Sequence, residues 1–135
     1  MNYLLDTSTL SHLIREEPAV LARLASLSPS NRVVTCTIVR GEILQGLHRL
    51  ADGRKTQRLF QKSLNVLAGF PCQPIAEGVA DVYADLKISQ EKKGLRLDEN
   101  DLWIASMARF IGATLVSSDR DFLRIEGLTV EDWTK

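Results

Sequence analysis

Cysteine and histidine are scarce: the 135 residues contain two of each. Cys36 and Cys72 lie far apart, with no CxxC pair and no histidine at finger spacing, so a structural zinc site has no ligand set. Each cysteine sits in a short apolar run and reads as an inert core thiol, not a bridge or a reactive group. Net charge is also absent, with 17 Lys+Arg against 17 Asp+Glu. Bulk charge therefore cannot draw this protein to nucleic acid, and any basic surface that matters must be local. No apolar stretch approaches the ~20 residues needed to span a bilayer. The N-terminal run Tyr3-Leu4-Leu5 meets Asp6 before it could form a signal-peptide core. The expectation is a reduced, cytoplasmic protein with no membrane partner. Internal repeats and low-complexity linkers are missing as well, which excludes collagen-like, coiled-coil and disordered chains.

What remains is an ordinary globular composition, 44% hydrophobic and 25% charged, at a length that suits one domain over residues 1–135. Short apolar runs alternate with segments of helical period. Asn2–Leu5 is a strand ended by the capping run Asp6-Thr7-Ser8-Thr9. Leu10, Leu13 and Ile14 give a helix; Pro18 opens a second, with Val20, Leu21, Leu24 and Leu27 on one face. Val33–Cys36 is β-rich, and Thr37 is placed to cap a helix carrying Ile43, Leu44, Leu47 and Leu50. A further helix follows Gly53 with Phe60, Leu64 and Leu67 inward. Pro71–Ile75 reads as a short strand, and Val79, Val82, Tyr83 and Leu86 mark a long helix running into Gln90–Gly94. Asp98–Ile111 is helical, with Gly112 as its stop. Thr114–Val116 is a strand, Ser117–Phe122 a turn, and Leu128–Val130 a last strand or strand edge. Strands separated by helices imply right-handed crossovers, hence an α/β fold with a mostly parallel central sheet and helices on both faces.

Four acids stand out by position. Asp6 ends the first strand, and Asp119 follows the strand Thr114–Val116 at the same kind of end. In open parallel sheets ligands bind beyond the carboxyl ends of the strands, although an aspartate between strand and helix is also the usual N-cap. Glu42 lies three and four residues after Val39 and Ile38, on the inward stripe of its helix. Asp101 precedes Ile104, Ala105 and Ala108 by three, four and seven positions, again on the stripe that faces the core. Carboxylates in such places cost several kcal/mol unless paired or metal-bound. A buried salt bridge to Arg40 or Arg109 is the alternative. If the four converge, they repel, and a hard divalent cation with oxygen ligands resolves the repulsion. Mg²⁺ or Mn²⁺ suits carboxylates without His or Cys, and such centres activate water for in-line displacement at phosphorus.

The residues resemble a known family. Leu4-Leu5-Asp6-Thr7-Ser8, then Val39-Arg40-Gly41-Glu42-Ile43 with Gly46, then Asn100–Ala105, then Leu115–Phe122 look like the ordered motifs of PIN-domain nucleases. The tail Gly127–Trp133 is similar to that of many VapC toxins, the ribonuclease halves of VapBC toxin–antitoxin pairs. The resemblance covers nearly the whole chain. It implies a single PIN-like domain whose metal-site acids are Asp6, Glu42, Asp101 and Asp119, with Ser117 and Thr7 as supporting hydroxyls. Many relatives have Asn where this chain has Asp119, and Asp121 is a substitute for it or a helix cap. The resemblance also implies an Mg²⁺- or Mn²⁺-dependent endoribonuclease acting on structured tRNA or ribosomal RNA. Its implied assembly is a homodimer inhibited by a small cognate antitoxin, through which alone the complex would reach DNA.

Arg49, Arg54, Lys55, Arg58 and Lys62 form a basic run that would hold RNA phosphates, or that simply faces water as charge runs usually do. Lys92, Lys93 and Arg96 make a weaker one. His12 and His48 lack partners at catalytic spacing. Trp103 would either stack on a base or be partly buried, and Trp133 would anchor the C-terminus. Rival functions are a haloacid-dehalogenase-like phosphatase, which needs an acid two positions after Asp6 where Ser8 stands, a response-regulator receiver, which needs a mid-chain phosphoacceptor, and a catalytically inactive PIN-fold binding module.

Overall fold

A computed structural model describes all residues, 1–135. Its elements are β1 Asn2–Leu5, α1 Thr7–Ile14, α2 Pro18–Ala25, β2 Arg32–Cys36, α3 Thr37–His48, α4 Arg54–Ala68, β3 Cys72–Gln73, α5 Glu77–Lys92, α6 Glu99–Ile111, β4 Thr114–Val116, a 3₁₀ turn Arg120–Arg124 and β5 Val130–Glu131. The five strands form one parallel sheet in the order β3-β2-β1-β4-β5. Leu4 pairs with Val34 on one side and with Leu115 on the other.

That order fixes where a site can form. From β1 the chain steps outward to β2 and β3, then returns to the opposite side of β1 for β4 and β5. Crossovers of one hand therefore put the helices before β3 on one face and those after it on the other. The reversal falls between β1 and β4, and a crevice opens beyond their carboxyl ends at such a switch point. Two hydrogen bonds carry the ladder past the strands into this region: Asp6 N–H donates to Val116 O at 3.1 Å and Ser117 N–H to Glu131 O at 3.0 Å.

β1 and β4 are central and read as apolar runs because both faces are covered; Leu4, Leu5, Leu115 and Val116 are fully buried. α6 carries the most buried helix face, with Leu102, Ile104, Ala105, Ser106, Met107 and Ala108 all enclosed. It stops at Gly112, which takes the left-handed conformation (φ 67°) expected of a C-terminal glycine. Trp133 is buried against Tyr3, ring centroids 5.6 Å apart, and closes the end of the chain as an anchor.

Several sequence expectations need correction. Cys36 is buried but Cys72 is exposed, because β3 is a two-residue edge strand and not part of the core. For the same reason the strand expected over Pro71–Ile75 shrinks to Cys72–Gln73, leaving Ile75 41% exposed. Thr37 is the first helical residue of α3 and not its cap; Cys36 holds that position and makes no side-chain capping bond. Leu50 falls beyond the end of α3 and is exposed, as is Leu21 on α2. The last strand is Val130–Glu131, shifted from Leu128–Val130 by the left-handed turn at Gly127 (φ 74°).

Candidate metal centre

Asp6 is the hub. It follows β1, is buried, and caps α1 by accepting the Thr9 N–H at 2.9 Å. The Ser8 hydroxyl reaches both of its oxygens, Oδ1 at 2.8 Å and Oδ2 at 3.0 Å. Burial pushes its carboxyl above the ordinary range, against hydrogen bonds from Ser117, Thr9 and Ser8 that favour the charged form. The capping role and the role of a site acid thus coexist in one residue: Oδ1 closes the helix, and the carboxylate has lone pairs left over.

Glu42 comes from α3, half-buried, and accepts the Thr7 hydroxyl at 2.6 Å. Thr7 is the first residue of α1 beside Asp6, so this bond ties α3 to the start of α1. Asp119 follows β4 by three residues; its N–H donates to Ser117 Oγ at 3.0 Å, and its own Oδ1 accepts the Asp121 N–H at 2.9 Å. Asp119 is therefore the cap of the 3₁₀ turn. Asp121, expected as a cap or as a substitute for Asp119, is exposed within that turn and does not cap it.

Asp101 lies in the first turn of α6. Its carboxyl is pushed up to about 7, first by burial and then by the negative charges of Asp119, Asp98, Glu42 and Asp6. One side chain therefore feels all three other sequence-selected acids at once, and the four belong to one electrostatic neighbourhood. They do not form a closed cage: no three His, Cys, Asp or Glu side chains already converge on a common ion position. Hydroxyls and amides hold the carboxylates of Asp6, Glu42 and Asp119 individually, and mutual repulsion opposes closer approach.

The salt-bridge alternative is not realised. The ion pairs of the chain are Arg23–Glu131, Lys62–Glu16, Lys87–Glu99 and Lys93–Glu126, none of which involves these acids. Arg109, at the far end of α6, lies beside Gly127. Clustered acids with oxygen-only donors and no guanidinium or ammonium partner fit a hard divalent cation.

Sequence reasoning missed Ser8, Thr9 and Asp98. The run Asp6–Thr9 signalled a cap, but nothing in its spacing says that Ser8 turns back onto Asp6. Of the basic run, Lys62 pairs with Glu16 at 3.0 Å, whereas Arg49, Arg54, Lys55 and Arg58 are exposed and enter no ion pair. In the weaker run Lys93 pairs with Glu126 at 3.1 Å. Trp103 stacks on Tyr83, 3.9 Å between centroids and 7° between planes, so partial burial describes it and that ring face is taken by protein. His12 contacts Arg15 at 3.2 Å, and His48 packs edge-on to Phe60 at 5.3 Å.

The parallel sheet in this order, with acids from β1, α3, α6 and the end of β4 gathered at its switch point, defines a class that comparison with known proteins makes specific. A PIN domain model matches residues 3–128, and the chain belongs to that family. Among its relatives are Ribonuclease VapC1 of Haemophilus influenzae (strain R2866), 31% identical over 140 residues with all of both chains covered, and Ribonuclease VapC2 of Rickettsia felis, 30% identical with the same full coverage. The solved structure of VapBC2 from Rickettsia felis bound to a DNA fragment from its promoter matches with a TM-score of 0.90 at 28% identity, covering 98% of this chain and 99% of that one. VapBC-1 from nontypeable Haemophilus influenzae matches with a TM-score of 0.88 at 26% identity over both full lengths. The family resemblance and the α/β fold expected from the motifs are both borne out.

Proposed function

We propose that this chain is a metal-dependent endoribonuclease and the toxin half of a VapBC-type pair. The observation that carries the proposal is the position of Asp101, half-buried in the joint field of Asp6, Glu42, Asp98 and Asp119 with no cationic partner. That arrangement costs stability and makes no sense as packing. It makes sense if a divalent cation completes it.

Asp6, Glu42 and Asp101 would hold Mg²⁺ or Mn²⁺, with Asp119 beside them. A cation held there supplies Lewis acidity toward a phosphodiester and lowers the pKa of water. The chain's own part is positioning. Thr7 holds one oxygen of Glu42, Ser8 and the Thr9 N–H hold Asp6, and Ser117 holds the backbone of Asp119. Asp101, its carboxyl pushed up to about 7 by burial and by the neighbouring acids, would be favoured in its charged form by a cation held there. Arg49, Arg54, Lys55 and Arg58 would carry RNA phosphates toward the site, with affinity that falls as salt rises.

Structured tRNA or ribosomal RNA is the proposed substrate, and the proposed setting is the cytoplasm; no helix is long and apolar enough to cross a membrane. The proposed assembly is a homodimer inhibited by a small antitoxin, which would bring the complex to DNA. A groove of about 290 Å³ between α1, α3 and α4, lined by Ile14, Ile43, Leu47 and Leu59 and ending at Thr7 and Glu42, supports the antitoxin part of this proposal. A peptide seated there would lie against the acids it must inhibit.

RNA cleavage by the purified protein, with and without EDTA, tests the mechanism. Cleavage should require Mg²⁺ or Mn²⁺ and fall at least 100-fold in Asp6→Asn, as loss of a metal ligand implies. Activity that ignores the chelator contradicts the metal mechanism. RNA binding without cleavage in any divalent cation would instead favour an inactive binding module.

A further inference from the structure

The structure singles out Ser8, on which four contacts meet. Its hydroxyl hydrogen is shared between Asp6 Oδ1 and Oδ2, at 2.8 and 3.0 Å. Its oxygen in turn faces the Ser118 N–H at 3.4 Å and the Ser118 hydroxyl at 3.3 Å. Ser118 lies between Ser117 and Asp119. Ser8 thus reaches from α1 across the switch point of the sheet, touching both oxygens of the acid after β1 and the loop after β4 that presents Asp119.

We propose that Ser8 is a positioning residue for the cation, acting through Asp6 and through its contact with the loop that carries Asp119. The inference rests on the metal-dependent reading given above. Asp6 is buried, and the plane of its carboxylate is set by the groups that bond to it. The Thr9 N–H reaches Oδ1 alone. Ser8 reaches both oxygens, which helps to fix the plane of the carboxylate and so the direction in which its remaining lone pairs point. Groups that orient a ligand in this way typically change metal affinity by about 10–100-fold when removed. Ser8 touches no atom of the proposed RNA path, so its effect should fall on the cation and not on RNA binding.

The test compares Ser8→Ala and Ser8→Thr with the wild type. Mn²⁺ binding is measured by titration calorimetry without RNA, and RNA cleavage is measured at varied Mn²⁺. Ser8→Ala should weaken Mn²⁺ binding by about tenfold and raise the Mn²⁺ needed for half-maximal rate by the same factor. KM for RNA should not change, and kcat should recover at saturating Mn²⁺. Ser8→Thr, which keeps the hydroxyl, should restore the Mn²⁺ affinity. If Ser8→Ala misfolds, an intact fold in Ser8→Thr keeps the comparison open, because a weakened Mn²⁺ affinity in that hydroxyl-bearing variant would overturn the proposal. So would unchanged Mn²⁺ affinity in a folded Ser8→Ala, or a defect confined to KM for RNA. A wild type that binds no Mn²⁺ would instead overturn the metal-dependent reading on which this one rests.

Discussion

Asp101 carries the heaviest electrostatic load in the molecule, and its behaviour without a cation follows from the sign of its shift. Folding raises its carboxyl from 3.8 to about 7. Between those values the folded chain retains a proton that the unfolded chain releases, so stability falls as pH rises through this window. The contribution is complete below about pH 4 and lost above about pH 7. Asp101→Asn cannot ionise and should escape that loss. In EDTA the variant and the wild type should have similar urea midpoints near pH 4, where Asp101 holds its proton in the folded chain and largely in the unfolded one. Near pH 8 the variant should be the more stable by something on the order of 1 kcal/mol, a figure reduced for the solvent that screens a half-buried group. Equal midpoints at both pH values would mean that the acids do not share a field. Asp6 moves in the same direction, since burial raises it too.

At the level of elements, α4 shows how a feature can be unfavourable for the helix and still have a use. Its first turn carries Arg54 and Lys55, with Arg58 one turn on, and holds no acid. Cations at a helix N-terminus oppose the macrodipole and cost about 0.3–1 kcal/mol each in exposed positions. A merely solvated helix face would not need them there. Reversing both charges (Arg54→Glu with Lys55→Glu) should therefore raise the melting temperature slightly while weakening RNA binding and flattening its salt dependence. Thermal melts and filter binding at two salt concentrations read both effects. A variant that is more stable and binds RNA as before would leave the basic run as solvated surface.

The same scale shows what the sequence could and could not reveal. β1, β4 and α6 were legible because their residues obey one local rule throughout: apolar runs for strands covered on both faces, and a stripe ended by Gly112 for the helix. β3 was overextended because Pro71–Ile75 has strand composition, whereas the edge of the sheet offers pairing to two residues only. Thr37 was misplaced because capping preference is a statement about residue type, and the chain entered α3 one residue earlier. Glu42 and Asp101 stand out because a carboxylate on an inward stripe violates burial rules in the sequence itself, and Asp6 and Asp119 because each follows a strand. Ser8 does not, because a serine in a capping run breaks no rule; its contacts with Ser118 depend on how β1 and β4 pair.

For the molecule as a whole, the topology does the chemical work. A parallel sheet whose order reverses at β1 brings together residues separated by more than half the chain, and the site exists only in the folded state. The proposed cation would stabilise the native state by mass action and would offset a repulsion that burial otherwise leaves uncompensated. The central claim is that Asp6, Glu42 and Asp101 share one cation at the carboxyl ends of β1 and β4. Crystals grown with Mn²⁺ and measured for its anomalous scattering test this most directly. A single site, or a close pair of sites, within bonding distance of carboxylate oxygens from all three residues is the expected result. Anomalous density elsewhere, or none at saturating Mn²⁺ with the three carboxylates still held apart, would contradict it.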